Sequence, residues 1–212
     1  MADVKGHRWF AATYDRLTAS GERGFMAPIR AEVAGSAQGH VLEIGAGTGA
    51  NFPHYTSLAE HVTAVEPDPY MYRRAERHAT ETARHIELQQ VPAEDLPFAD
   101  ESFDTVVSTL VLCSVRDPEK SLSEVIRVLK HGGQLRFYEH IRSSNPVAAR
   151  FQDLALPVWR WFAAGCHCNR DTVTTIRESA LEITEVAYST PVPPVPPFIL
   201  VRPHVKGIAI RG

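Results

Sequence analysis

The chain alternates between short branched apolar runs and longer stripes of helical period, and that alternation outlines its elements. Trp9, Phe10, Thr13, Tyr14 and Leu17 recur at helical spacing, Ser20-Gly21 breaks the pattern, and Phe25 to Val33 resumes it, which predicts two helices within residues 3 to 34. After a loop from Gly35 to Gly39, Val41, Leu42 and Ile44 make a run suited to a buried central strand. That run breaks at Gly45, Gly47 and Gly49, and Asn51 to Leu58 reads as a short helical region with Pro53 near its start. His61 to Val65 is a second strand, a helix from Asp68 or Pro69 reaches about Ala83, and His85 to Val91 is a third strand. Pro92 to Phe98 is a loop, and Asp104 to Leu110 is a fourth, buried strand. Asp117-Pro118 caps a helix with Leu122, Val125, Ile126 and Leu129 on one face. It runs to Lys130 and stops at His131-Gly132-Gly133, before a fifth strand from Gln134 to His140.

Strands alternating with helices at this length require crossovers, so a parallel sheet is expected. The last third changes character. Pro146 to Ala164 reads as a helix interrupted by Pro157, and Asp171 to Ala180 as another helix. Leu181 to Ser189 and Val205 to Ile210 read as strands with no helix between them, which favours antiparallel pairing. The expected fold is α/β: a Rossmann-like, doubly wound seven-stranded sheet, mostly parallel with an antiparallel last strand, and helices on both faces. No repeat or linker divides the 212 residues. One domain over 1-212 is expected, with an N-terminal helical cap at 1-35 and a lid insertion at 143-170.

Composition narrows the partners. A hydrophobic content of 44% with 22% charged residues is that of a soluble globular protein. A net charge of -3 gives no general attraction to nucleic acid. No apolar run is long enough to span a bilayer, so no stable membrane anchor is expected. Met1 to Phe10 lacks the apolar core of a signal peptide. Three cysteines, an odd number, imply no disulfide framework and fit a reducing, cytoplasmic location.

The chemistry concentrates after the first strand. Three glycines in five positions let a ligand touch the backbone, and the following helical turn points free N–H groups at it. The spacing also completes a G-x-G-x-x-A dinucleotide pattern with Ala50. Glu66 ends the second strand, at the edge where ligands bind in such sheets. An acid there can accept both hydroxyls of a ribose, whether of NAD or of S-adenosylmethionine. Hydride transfer also needs a substrate-side acid and usually a larger second domain; no Tyr-x-x-x-Lys pair occurs. A sulfonium donor is already activated, so aligning its methyl with a nucleophile suffices.

Four motifs occur in the order seen in class I S-adenosylmethionine-dependent methyltransferases: Leu42 to Gly49, Glu66-Pro67-Asp68, Ala93 to Asp104, and Glu124 to Gly133. Within that class the chain most resembles the methyltransferase-like thiol methyltransferases. That closer likeness rests on Gly49-Ala50-Asn51-Phe52, Thr109 to Val115, Glu139-His140, Gly165-Cys166, Asn169-Arg170 and Leu200 to His204. The quinone C-methyltransferases are a more distant likeness, through Tyr14-Asp15 and the Leu96-Pro97-Phe98 loop. The resemblance implies that Gly45, Ala46, Gly47 and Gly49 face the methionine part of the cofactor and that Glu43 lies near its ammonium group. It implies Glu66 on the ribose, Pro67 or Asp68 against the adenine, Ala93 and Glu94 at the adenine edge, Thr109 and Leu110 over the sulfonium, and Tyr14 reaching in from the first helix. Many relatives carry an acid before the alanine of the Ala93 loop; Pro92 stands there instead.

The implied reaction is methyl transfer to a small, rather apolar acceptor, with a thiol first and a quinone-like or polyketide-like ring methylated at carbon or oxygen as the alternative. An NAD(P)-dependent oxidoreductase is the rival from another class. A thiol is nucleophilic as its thiolate, so a base near the sulfur helps, and His140 at the end of the fifth strand is the candidate. Arg202 and His204 are further candidates from the last loop. Glu139 should point to the opposite side from His140. Cys166-His167-Cys168 lacks a second ligand pair, and no metal is expected. Trp159, Trp161 and Phe162 beside Arg150 and Arg160 would suit a lid touching lipid, but packing into the domain or over the substrate pocket is the preferred reading. Pro191 to Pro197 is read as a stiff pocket wall rather than a polyproline ligand.

Overall fold

The computed structural model describes residues 6–192 and 198–212. The reading of Pro191 to Pro197 therefore falls mostly outside the described residues. The sheet has seven strands: β1 (Gly39–Ile44), β2 (Ala59–Val65), β3 (Ile86–Gln89), β4 (Phe103–Thr109), β5 (Leu129–His140), β6 (Leu181–Ser189) and β7 (His204–Arg211). Their order is β3-β2-β1-β4-β5-β7-β6. Strands β1 to β5 pair in parallel, and β7 runs antiparallel between β5 and β6. The order reverses direction between β1 and β4, and the crevice above such a reversal is where these sheets bind ligands.

Alternation along the strands sorts the core into two faces. Leu42, Ile44, Val106, Leu135 and Phe137 pack on one side of the sheet. Val41, Val62, Val107 and Tyr138 pack on the other. The first side is covered by α4 (Pro118–Val128) and α6 (Thr172–Arg177), and the second by α2 (Ala27–Val33) and α3 (Pro69–Glu81). Two caps are as expected. Asp117 accepts from Lys120 N at 2.9 Å to start α4, and Asp68 accepts from Tyr70 N at 2.8 Å to start α3.

Four local expectations are corrected. Gly21 does not break the N-terminal helix: α1 (Arg8–Gly21) runs through a π-helical turn, Glu22–Met26, straight into α2. The wider turn absorbs the change of phase that the sequence pattern records as a break. Residues 51 to 58 hold only a single 3-10 turn, Phe52–His54. The helix before β5 ends at Val128, not Lys130, because Leu129 already extends into the strand. Pro157 does not interrupt α5 (Pro146–Phe162). The carbonyl it frees belongs to Asp153, an exposed residue on the outer side of the helix, where water can satisfy such a group.

The aromatics of α5 are also corrected. Trp159 alone is buried, whereas Trp161 is 84% and Phe162 53% exposed. Val147, Phe151, Leu154, Val158 and Trp161 form an outward apolar stripe at helical spacing. The inward face holds Gln152, whose amide donates to the carbonyls of Cys168 and Leu200, each at 2.8 Å, and accepts from Ser143 N at 2.8 Å. These bonds pin α5 to three loops. No helix among the described residues is long and apolar enough to cross a membrane.

Candidate active site

The turn after β1 is shaped by what a Cβ would meet. At Gly45, with φ +59°, a Cβ would stand 2.6 Å from Val111 Cγ1. At Gly47, also φ +59°, a Cβ would meet nothing within 4 Å. Gly45 thus seals the turn against the end of β4, and Gly47 presents bare backbone to open space. Facing it is Glu66. Its carboxylate accepts from Gly47 N and from Asp68 N, each at 2.8 Å. Burial pushes the Glu66 carboxyl up to about 7, against the pull of those two N–H groups. Asp68 is occupied as the cap of α3 and by His7 N at 2.6 Å.

Glu43 lies beneath this turn in a buried chain of hydrogen bonds. Tyr55 OH donates to it at 2.7 Å and Asn51 Nδ2 at 3.0 Å. Asn51 Nδ2 also donates to Thr109 Oγ1 at 3.1 Å, and Asn51 Oδ1 accepts from Arg30 at 2.7 Å. Arg30 in turn donates to Glu22 through two nitrogens, each at 2.7 Å. Burial pushes Glu43 up to about 7, with Tyr55, Arg30 and Asn51 opposing. The chain joins the π-helical turn to β1, the glycine turn and the end of β4. Tyr14 is half-buried on α1; burial pushes its hydroxyl up to about 12, and its surroundings include Arg30 and Cys113.

The end of β4 is built around Glu139. This carboxylate is fully buried and accepts from Ser108 Oγ at 2.7 Å and from the N–H groups of Val111, Leu112 and Cys113 at 3.1 Å each. Burial pushes its pKa up, and the four donors oppose that. They hold a tight turn in which Leu110 takes φ +61°, a region side chains rarely occupy. Ala93 is buried, and Glu94 accepts from Arg116 N at 2.8 Å, so its carboxylate ties the loop after β3 to the start of α4.

His140 stands on the other side of β5 from Glu139, as the strand period requires. Its Nδ1 lies 3.6 Å from both Cys113 Sγ and Cys166 Sγ, and the two sulfurs are 3.8 Å apart. Hydrogen bonding with Cys113 and the proximity of His140 hold the Cys166 thiol well below its ordinary range, and Cys113 is pushed up. The ring of His204 packs 4.6 Å from that of His140. Burial drives His204 down to about 3, and its Nδ1 donates to the Arg202 carbonyl at 3.0 Å, so it is a neutral packing group.

The fold thus gathers Gly45, Ala46, Gly47, Gly49, Glu66, Thr109, Leu110 and His140 at the carboxyl ends of β1, β2, β4 and β5. Asp68, Glu94 and Glu43 are brought nearby with their carboxylates engaged by the protein. A cavity of about 1050 Å³ meets the glycine turn at Thr48, Gly49 and Ala50 and is walled by Tyr14, Glu22 and His78. Gly47 and Glu66, which face each other, are not among its lining residues. Sequence reasoning missed Asn51 and Arg30 as links and Glu139 as the organiser of the β4 turn. The available signal for Glu139 was an acid directly after the buried pair Phe137-Tyr138 at the end of the strand.

The chain is similar to several known proteins. A methyltransferase-domain family model matches residues 42–137. Human thiol S-methyltransferase TMT1B is 34% identical over 202 residues, which cover 93% of this chain and 81% of that protein. Demethylmenaquinone methyltransferase of Clavibacter sepedonicus is 31% identical over 148 residues, 68% of this chain and 60% of that protein. The crystal structure of a SAM-dependent methyltransferase from Thermotoga maritima matches with a TM-score of 0.72 at 22% identity, covering 97% of this chain and 98% of that one.

Proposed function

The chain belongs to the S-adenosylmethionine-dependent methyltransferases, in the family of the thiol S-methyltransferases, and from that premise we propose that it methylates the sulfur of small, apolar thiols. The hydride-transfer alternative falls with that membership. One observation carries the placement of the cofactor: the open backbone at Gly47 faces the Glu66 carboxylate, which is bonded to it at 2.8 Å. The bare turn leaves room for the methionine part, and Glu66 keeps lone pairs for two ribose hydroxyls. Ala93 would border the adenine, with Pro67 and Asp68 beside it, while Thr109 and Leu110 would close the cleft on the β4 side and Tyr14 would cover it. When bound, the cofactor supplies an electrophilic methyl on a positively charged sulfur.

The chain's own part is to hold and to exclude. The turn fixed by Glu139 sets one wall, the N-terminal helices the second, and α5 the third. Restricting the acceptor there replaces a bimolecular encounter by a held one, the largest advantage such a site offers without a covalent intermediate. The outward stripe on α5, with Arg150 and Arg160 beside it, supports peripheral contact with a lipid surface, where apolar thiols concentrate. The free cysteines, all buried, support a reducing, cytoplasmic setting. The demethylmenaquinone relative favours a second reading, methylation of a quinone-like ring. Labelled methyl donor with a panel of alkyl thiols, phenols and quinols separates the two. Transfer to sulfur is expected, and transfer to oxygen or carbon acceptors alone rejects the thiol reading.

A further inference from the structure

Three side chains at the end of the sheet have no task in that account. Cys113 follows β4, His140 ends β5, and Cys166 lies in the loop after α5. Their ligand atoms, Sγ, Nδ1 and Sγ, all lie within 4.8 Å of one another. The edges of the triangle are 3.8 Å between the sulfurs and 3.6 Å from His140 Nδ1 to each. A tetrahedral zinc ion, with Zn–S of about 2.3 Å and Zn–N of about 2.05 Å, requires S···S of about 3.8 Å and S···N of about 3.6 Å. All three edges match three corners of that tetrahedron. A disulfide needs sulfurs at about 2.05 Å and leaves the imidazole nitrogen without a role.

The two cysteines are also mounted firmly. Glu139 fixes the backbone of Cys113 at 3.1 Å. The Cys166 loop is hooked to the same turn by His167 N on the Cys113 carbonyl and Arg170 Nη1 on the Leu112 carbonyl, each at 2.7 Å. Gly165, with φ +92°, makes the bend that aims Cys166 inward. The two cysteines are buried and His140 is half-buried, so the cluster is closed on the sulfur side and more open at the imidazole. Sequence spacing hid the set, because its members are 27 and 26 residues apart, while the conspicuous Cys168 is not in it.

We propose that Cys113, His140 and Cys166 bind a zinc ion whose fourth position takes the sulfur of the acceptor thiol. The second half rests on the thiol reading above. Three protein ligands with one open position is the pattern of catalytic rather than structural zinc. Binding exchanges the acceptor's S–H bond for a zinc–sulfur bond, and the proton leaves to solvent. The retained lone pair forms the new carbon–sulfur bond as the methyl–sulfonium bond breaks, its electrons staying with the donor sulfur. The thioether product carries no charge and leaves the ion. His140 is then a ligand, not a base. A free thiol of pKa about 8.5 is only about 3% ionised at pH 7, so holding it as thiolate is worth up to about 30-fold.

The test uses the intact, reduced chain. Elemental analysis is expected to find one zinc per chain. After chelation, added cobalt(II) is expected to give the visible absorption of a tetrahedral ion and a thiolate-to-cobalt charge-transfer band. Cys113→Ser and Cys166→Ser should each abolish the charge-transfer intensity in part and weaken binding at least tenfold, whereas Cys168→Ser, outside the set, should bind as the parent does. Ethanethiol or benzenethiol should shift the visible bands; methanol should not. A folded, reduced chain that takes up neither ion overturns the site, as does a spectrum indifferent to both serine variants. Thiol methylation at an undiminished rate by the metal-free chain overturns the zinc role and leaves the thiol reading standing. Thiol-shifted cobalt bands without methylation of any thiol would instead sink the thiol reading and keep the ion.

Discussion

Alanine at Gly47 and alanine at Gly45 should fail in different ways, although both glycines share φ +59°. A side chain in the left-handed region costs roughly 1–2 kcal/mol, and that is the whole penalty expected at Gly47, where the new methyl touches nothing. At Gly45 the methyl would lie 2.6 Å and 2.7 Å from the two γ-methyls of Val111. Val111 cannot easily give way, because its N–H is held by Glu139. Overpacking adds about 1–3 kcal/mol, for a total of about 2–5 kcal/mol. A domain of this size loses about 2–4 °C in Tm per kcal/mol, so Gly45→Ala should melt well below Gly47→Ala. Binding should follow the opposite order of interest: Gly47→Ala stays folded yet loses S-adenosylhomocysteine affinity at least tenfold, because its methyl occupies the ligand's space. Thermal melts and titration calorimetry measure both. Affinity within twofold of the parent for Gly47→Ala, or equal melting of the two variants, would refute the assignment of the open cradle.

Three further outcomes follow from the buried acids and from α5. Glu66 titrates near 7 in the fold against an ordinary value of 4.5, so it favours the folded state when protonated; that contribution is complete below about 4.5 and lost as pH rises through about 7. Urea unfolding of the cofactor-free chain should show stability falling over this window by up to about 3 kcal/mol from Glu66, and Glu66→Gln should flatten the fall. An unchanged pH profile in that variant contradicts the burial argument. Glu139→Ala strips the acceptor from three buried N–H groups and should cost about 3 kcal/mol or more, against about 1 kcal/mol for Ser108→Ala. Equal urea midpoints for the two would show that the turn does not depend on the carboxylate. Leu154→Glu with Trp161→Glu changes only exposed positions and should leave stability within about 0.5 kcal/mol, while vesicle sedimentation drops. Undiminished sedimentation would remove α5 from the membrane-facing role.

Strand and helix periods made the sheet legible from Val41 to His140, since each strand there carries branched or aromatic apolar residues and is bounded by a loop or a cap. The antiparallel end was legible for a topological reason: no helix separates the last two strands. What failed was local. The π-helical turn at Glu22 keeps α1 and α2 in one run although Ser20-Gly21 reads as a stop. Asp153, whose carbonyl Pro157 leaves without its helical partner, is an exposed residue, so α5 tolerates the proline. At the site, the glycines and Glu66 were readable because each directly follows the end of a strand, a position that the local pattern marks. The cluster of Cys113, His140 and Cys166 was not, because three loops meet there and only the tertiary fold sets their distances. The outward stripe of α5 had the helical period of a core face, and period alone does not say which way a face points.

Asn51 gives the buried chain from Glu22 to Glu43 a sense of travel. Its carbamoyl oxygen must look toward the guanidinium of Arg30, and its nitrogen toward Glu43 and Thr109. The two ends are not interchangeable, so the N-terminal arm can seat on the first strand in one registration only, like a keyed plug. An aspartate there would satisfy Arg30 but turn a second oxygen on Glu43, converting a coupling into a repulsion.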